Sequence, residues 1–271
     1  GQTLDGAYDI ADLFEIEDSI SNSVASTLAQ PYGVIHRDLQ ARLSGSAQAS
    51  VSDYVCLLRG YDYRANFSSQ GHAAARACLE DAVVRNPNFD EAWSMLSKVY
   101  LDEYRWDFNR RPPPRNPLVA ALAAARRAVA LDPESASTRS ALAEVLFFLG
   151  EIDESLAEAE RSVALNPNNA EVVAMLALRL IMTGQGERGL ALNREAFALN
   201  PAAPGWYYFA PALQNLREGD HEAALDAAVR IQMPDFYLQH ALLAAVYGHL
   251  GRTEEGARAV ASAVELQPRL A

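Results

Sequence analysis

The sequence predicts an all-α superhelix, an α-solenoid of about six helix–turn–helix repeats preceded by an N-terminal amphipathic helix. Three observations predict it. A block ending in proline returns along the chain: Ala128-Val129-Ala130-Leu131-Asp132-Pro133, Ser162-Val163-Ala164-Leu165-Asn166-Pro167, Ala196-Phe197-Ala198-Leu199-Asn200-Pro201 and Ala263-Val264-Glu265-Leu266-Gln267-Pro268. Its period is fixed, because Pro133, Pro167 and Pro201 stand 34 residues apart and Pro201 to Pro268 is 67 residues, one unit of 34 and one of 33. Gly150, Gly184, Gly219 and Gly251 fall about midway between those prolines. Proline stops a helix and glycine permits a turn, so each period reads as two helices.

The units run at roughly 53–87, 90–133, 136–167, 170–201, 205–236 and 237–268, within an array spanning 51–271. Pro87 to Pro133 is 46 residues, one unit carrying a 12-residue insertion. Trp93, Leu96 and Tyr100 give a large–leucine–aromatic spacing in a first helix, and Ala121, Ala128 and Pro133 a small–small–proline spacing in a second. On these residues about four-fifths of the chain resembles the tetratricopeptide repeat (TPR) family, whose unit is a 34-residue helix–turn–helix. Departures are Arg139 at the large aromatic position of the third unit and Pro211 where leucine is usual in the fifth. The resemblance implies a TPR superhelix that binds proteins.

Residues 1–50 read as a helical segment and linker, the tail of an upstream domain. Leu13, Ile16, Ile20, Val24 and Leu28 recur at helical spacing over 11–29, with Glu15, Asp18, Ser21 and Ser23 on other faces. The small polar run from Ser44 to Ser52 reads as a linker. The stretch from Tyr8 to Ile20 (YDIADLFEIEDSI) resembles the junction before the TPR array in bacterial class III adenylate/guanylate cyclase-like proteins and in related winged-helix transcriptional regulators. That resemblance implies a signalling parent with its catalytic or DNA-binding domain upstream. The chain opens at Gly1 without a methionine and reads as a piece of a longer protein.

Composition narrows the partners. Acidic residues outnumber basic ones 35 to 23, a formal net charge of −12, which disfavours nucleic acid and anionic lipid. Lys98 is the only lysine, leaving one position for lysine-based chemistry. Cys56 and Cys78 are too few for a disulfide framework and too far apart for a zinc motif, so they read as small core residues in a reducing compartment. No apolar run approaches the ~20 residues that span a bilayer, and no signal peptide opens the chain. The expectation is a cytoplasmic protein.

Motifs that spell chemistry lack its context. Gly184-Gln185-Gly186-Glu187-Arg188-Gly189 matches a dinucleotide fingerprint, but a helix precedes it and Phe209 stands where an acidic residue belongs; Gly184 reads as the turn glycine and Gly189 as the small position of a second helix. His36-Arg37-Asp38-Leu39 begins like a kinase catalytic loop, but Leu43 replaces the required asparagine. The five histidines have no metal-ligand spacing. No catalytic residue, metal site or cofactor is expected.

Binding is expected in the concave groove lined by first helices. In register, repeats three to five present Phe147, Phe148, Met175, Leu178, Ile181, Met182, Trp206 and Phe209 there, unless some of them complete the core between repeats. Such a stripe suits an adaptable apolar protein or peptide segment, and the chain's own helix at 11–29 is one candidate. Chaperone-tail-binding TPR proteins clamp a terminal carboxylate with basic and amide side chains; the corresponding positions here are mostly apolar or small, with Glu144 of the wrong charge. The insertion, with Trp106, Arg110, Arg111 and a proline run, reads either as a second partner surface or as a lengthened helix with a stiff loop tying it down. Ala257, Ala261 and Val264 on the last helix suggest a weak homodimer. The function expected is a non-enzymatic protein-interaction module of a bacterial signalling protein, with a nucleotide cyclase or a DNA-binding regulator as the alternative parent.

Overall fold

The computed structural model describes residues 53–112 and 114–270, and the segment at 11–29 lies outside them. The described residues form six helix pairs and no strand. These are α1 (Asp53–Asn66) with α2 (Ser69–Arg85), α3 (Asp90–Arg105) with α4 (Pro117–Leu131), and α5 (Ala136–Leu149) with α6 (Ile152–Leu165). Then come α7 (Ala170–Met182) with α8 (Gly186–Leu199), α9 (Phe209–Glu218) with α10 (His221–Val229), and α11 (Tyr237–His249) with α12 (Thr253–Leu266). Each helix packs chiefly on its own partner and on the next pair, as an all-α TPR superhelix requires.

The expected punctuation acts as read. Gly150, Gly184, Gly219 and Gly251 all take left-handed φ between +69° and +90°, which only glycine adopts without strain. A Cβ at Gly189 would lie 2.8 Å from the Ala177 carbonyl oxygen, so that position keeps α7 and α8 in close contact. Second helices bury alanines such as Ala121, Ala125, Ala128, Ala196, Ala228 and Ala263, which lets helix axes approach closely. Leu96 and Tyr100 are buried, and Trp93 donates its indole N–H to the Pro87 carbonyl at 3.0 Å. Pro211 is accommodated in the first turn of α9, where a missing N–H removes no helical bond.

Two expectations are corrected. Cys56 and Cys78 are not free thiols; they form a disulfide joining α1 to α2. The argument for a reducing compartment therefore loses its basis, since such bonds persist in oxidising surroundings. No helix among the described residues is long and apolar enough to cross a membrane. Ile181 does not reach the groove but is fully buried, with its side chain against Gly189 of α8.

The two ends of the array meet. Phe67, after α1, stacks on Phe236, before α11, with ring centroids 4.9 Å apart. Trp106 packs edge-on against Phe236 at 5.1 Å and Tyr237 at 6.1 Å, and its carbonyl accepts from Gln267, 161 residues away, at 3.2 Å. Arg269 pairs with Asp107. Among the described residues, the non-glycine positions at positive φ are Phe67, Asp107, Asn109 and Gln232, all in the segments that form this seam or adjoin it. Such backbone persists only where surrounding contacts over-determine it.

Trp106 is therefore structural. Trp106→Ala should lower unfolding stability by about 2–4 kcal/mol, as truncation of a packed core aromatic does, with the loss read as a shifted denaturant midpoint. A midpoint unchanged within about 0.5 kcal/mol would mean the seam contributes nothing.

Candidate functional site

The inner surface is built from first helices and their ends, and it forms a half-open cavity of about 210 Å³. Its walls are apolar. Phe147 and Phe148 come from α5, Met175, Leu178 and Met182 from α7, Trp206 from the short 3₁₀ turn Gly205–Tyr208, and Phe209 from α9. All seven were expected in the groove, and the structure brings them together. Phe67, Leu213, Phe236 and Leu238 join them from repeats one, five and six. Phe236 escaped the sequence reading because it sits in the loop before α11, outside any helical register; only the fold-back of the ends brings it in.

The insertion residues are divided. Trp106 turns inward and lines the same cavity. Arg111 pairs with Glu80 of α2, which Arg115 and the Tyr100 hydroxyl also engage. Arg76 donates to the Asn109 carbonyl at 2.7 Å, and Asn109 donates to the Ser69 carbonyl at 2.6 Å. Of the three, Arg110 stays exposed, 3.8 Å from Asp107. The loop is tied onto α2.

Beneath the apolar walls lies a buried ionic floor. Arg64 of α1 contacts Asp102 of α3 at 3.4 Å and Glu144 of α5 at 3.5 Å. Arg105 of α3 pairs with Glu144 and lies 3.6 Å from Asp102, with its guanidinium 4.7 Å from the centre of the Phe148 ring and 4.4 Å from that of Trp106. Lys98, the sole lysine, pairs with Glu171 of α7 at 2.8 Å. Arg179 of α7 donates to the Ser140 carbonyl at 3.4 Å. Arg105, Glu144 and Arg179 all border the cavity. Sequence reading took Glu144 as a lone wrong charge in the groove; the structure surrounds it with cations from three helices.

Those cations set its ionisation. Burial alone would raise the Glu144 carboxyl, but Arg64, Arg105, Lys98 and Arg179 together bring it from 4.5 to about 2. Burial lowers Arg179 to about 10 against the opposing pull of Glu144, so it stays charged near neutral pH. His72 is fully buried, with Nε2 3.0 Å from the Val99 carbonyl, and burial lowers its pKa. No group of three or more His, Cys, Asp or Glu side chains that could hold a metal occurs among the described residues.

Because the folded pKa of Glu144 lies below its unfolded value, its contribution is present above about pH 4.5 and is lost as pH falls toward 2. Between pH 7 and pH 3 the wild type should lose about 2 kcal/mol through this group. Glu144→Gln should be less stable at pH 7, because buried arginines lose their partner, yet lose correspondingly less on acidification. Chemical denaturation at both pH values checks this; equal acid losses in the two proteins would refute the assignment.

Comparison with known proteins supports the repeat and the fold. The family model described as Tetratricopeptide repeat matches residues 118–179. Among solved structures, human IFIT1, crystallised as a dimer with m7Gppp-AAAA, is 18% identical over 94% of this chain and 63% of its own, at a TM-score of 0.61. TTC0263, a TPR protein of Thermus thermophilus, is 19% identical over 73% of this chain and 99% of its own, at 0.55. PilW, a type IV pilus biogenesis factor, is 18% identical over 83% of this chain and 100% of its own, at 0.51. At such identities the likeness is one of fold alone. None of the curated proteins matches the chain.

Proposed function

We propose that the chain is a non-catalytic TPR binding module whose concave cavity captures an apolar protein or peptide segment. One observation carries the reading: aromatic, leucine and methionine side chains from all six repeats converge on one cavity. A monomer has little reason to keep such a surface open unless something covers it. Met175 and Met182 let the wall adapt to differing side chains, and Trp206 and Phe209 supply rigid contact area. Arg110 remains available as a secondary contact at the rim of the insertion.

The chain's own residues 11–29 are one such segment, apolar on one face and tethered to α1. Their tether would supply an effective concentration on the order of millimolar. A bacterial signalling parent, either a cyclase or a winged-helix regulator, belongs to the same proposal and rests on the sequence around Tyr8 to Ile20.

A displayed random-peptide library should enrich aromatic and aliphatic anchors on the protein lacking residues 1–35 and lose that enrichment on the same protein carrying Phe209→Glu. If the deleted segment is the occupant, its removal should also raise binding of an apolar dye. Enrichment indifferent to Phe209→Glu would place binding elsewhere.

Self-association through α12 is proposed from Ala257 and Ala261, both exposed on that helix beside a half-buried Val264. Sedimentation should show a weak wild-type dimer that Ala261→Glu abolishes; a wild type monomeric at high concentration overturns it.

A further inference from the structure

The seam that closes the array stands on one helix hairpin. Phe67, in the turn between α1 and α2, stacks on Phe236. The loop that carries Trp106 to Phe236 is moored on α2. Asn109 donates to the Ser69 carbonyl, Arg76 donates to the Asn109 carbonyl, and Arg111 and Arg115 pair with Glu80. Both aromatic contacts across the seam therefore depend on how α1 and α2 sit against each other. Backbone strain works against them. Phe67, Asp107 and Asn109 hold φ of +51°, +59° and +47°, which such residues keep only while their surroundings hold them there. Opening the hairpin frees Phe67 and loosens the mooring of Asn109, so the strain favours opening.

The Cys56–Cys78 bond opposes it. The two cysteines stand eleven residues either side of Phe67. At ~1.5 Å per helical residue the bond lies about 16 Å from the turn. The hairpin is thus tied at one end by the chain and toward the other by sulfur. Beyond the bond Arg85 meets Asp53 at 3.0 Å, a solvent-exposed pair, and such pairs hold weakly. A cross-link spanning 22 residues makes opening on the order of a hundredfold rarer.

We propose that this bond is a redox lock on the closure of the array. Oxidised, it fixes α1 on α2 and the seam stays shut; reduced by a dithiol, it releases the hairpin, and Phe67 and Trp106 part from Phe236. Cys56 is fully buried and Cys78 is 8% exposed, so a thiolate of the dithiol attacks Cys78 Sγ. The S–S bond breaks, and Cys56 leaves as a thiolate and takes up a proton. The second thiol, deprotonated, then attacks its own sulfur in the mixed disulfide and expels Cys78, whose departing thiolate Arg59 Nη1 favours from 3.5 Å. Two electrons and two protons pass to the cysteines, and the dithiol ends as a cyclic disulfide. The inference goes beyond the binding proposal and does not depend on it, because the seam is read with the cavity empty of any added ligand.

Hydrogen exchange on the full chain, with and without dithiothreitol, tests the lock. The decisive amides are those of residues 231–240, more than 150 positions from either cysteine, where the Phe236 N–H donates to the Met233 carbonyl at 3.0 Å. On reduction they should exchange at least about tenfold faster, together with α1, α2 and residues 106–109, and reoxidation should restore protection. Cys56→Ser with Cys78→Ser should behave like the reduced chain without reductant. Phe67→Ala, which opens the seam with the bond intact, should speed the same amides and leave them little further response to reduction. Reduction of the wild type stands as the measurement even if neither variant folds. Faster exchange in α1 and α2 alone makes the bond a local staple and overturns the proposal, as does no change anywhere. Loss of all helical signal on reduction also overturns it, because the bond would then hold the whole fold and not its closure. So does a chain whose two cysteines alkylate fully before any reductant is added.

Discussion

The buried charges of the inner surface constrain everything built around them. Successive first helices contribute Arg64, then Asp102 and Arg105, then Glu144, then Arg179, each buried or nearly so. Removing one would strand the others in a low-dielectric interior at a cost of about 3–5 kcal/mol. Some of these contacts skip a repeat: Arg64 of repeat one reaches Glu144 of repeat three, and Lys98 of repeat two reaches Glu171 of repeat four. In an ordinary solenoid each unit touches only its neighbours. Bridges between next-nearest repeats pull the inner edges together more than the outer ones, so they favour tight curvature.

Tight curvature lets the ends meet. With repeats one and two drawn toward repeats five and six, Phe67 and Trp106 reach Phe236, and the groove becomes a cavity. The 12-residue insertion serves this closure. Its left-handed residues Asp107 and Asn109 reverse the chain after α3, turning Trp106 inward while Asn109, Arg111 and Arg115 hold the loop to α2. The Cys56–Cys78 bond joins the two helices of the first repeat, one of the two end units of the described array.

The repeat frame was legible in the sequence because its signals are local: proline ends a helix, glycine at positive φ turns the chain, and alanine spaces the axes. Seven expected groove residues line the cavity for the same reason, since helical register follows from repeat phase. Ile181 was misplaced because a position next to Met182 faces α8 instead, a rotation that hydrophobicity cannot distinguish. The rest was hidden by distance. Nothing near Trp106 announces Phe236, 130 positions on, and nothing near Glu144 announces Arg64, 80 positions before it. Cys56 and Cys78 were read as separate because their pairing depends on the α1–α2 contact and not on a spacing motif.

The contrast between surface and interior bears on what such a cavity can select. A chain of net charge −12 repels anions at long range, but a field from exposed charges fades within about 8 Å at physiological ionic strength. The charges beneath Phe148 and Trp106 are buried, where salt screens them little. The exterior therefore discourages polyanions, whose many charges feel the outer field at once, while the buried ion pairs keep their strength at physiological salt. The apolar walls and the charges beneath them are thus governed separately, the walls by packing and the charges by the low dielectric of the interior.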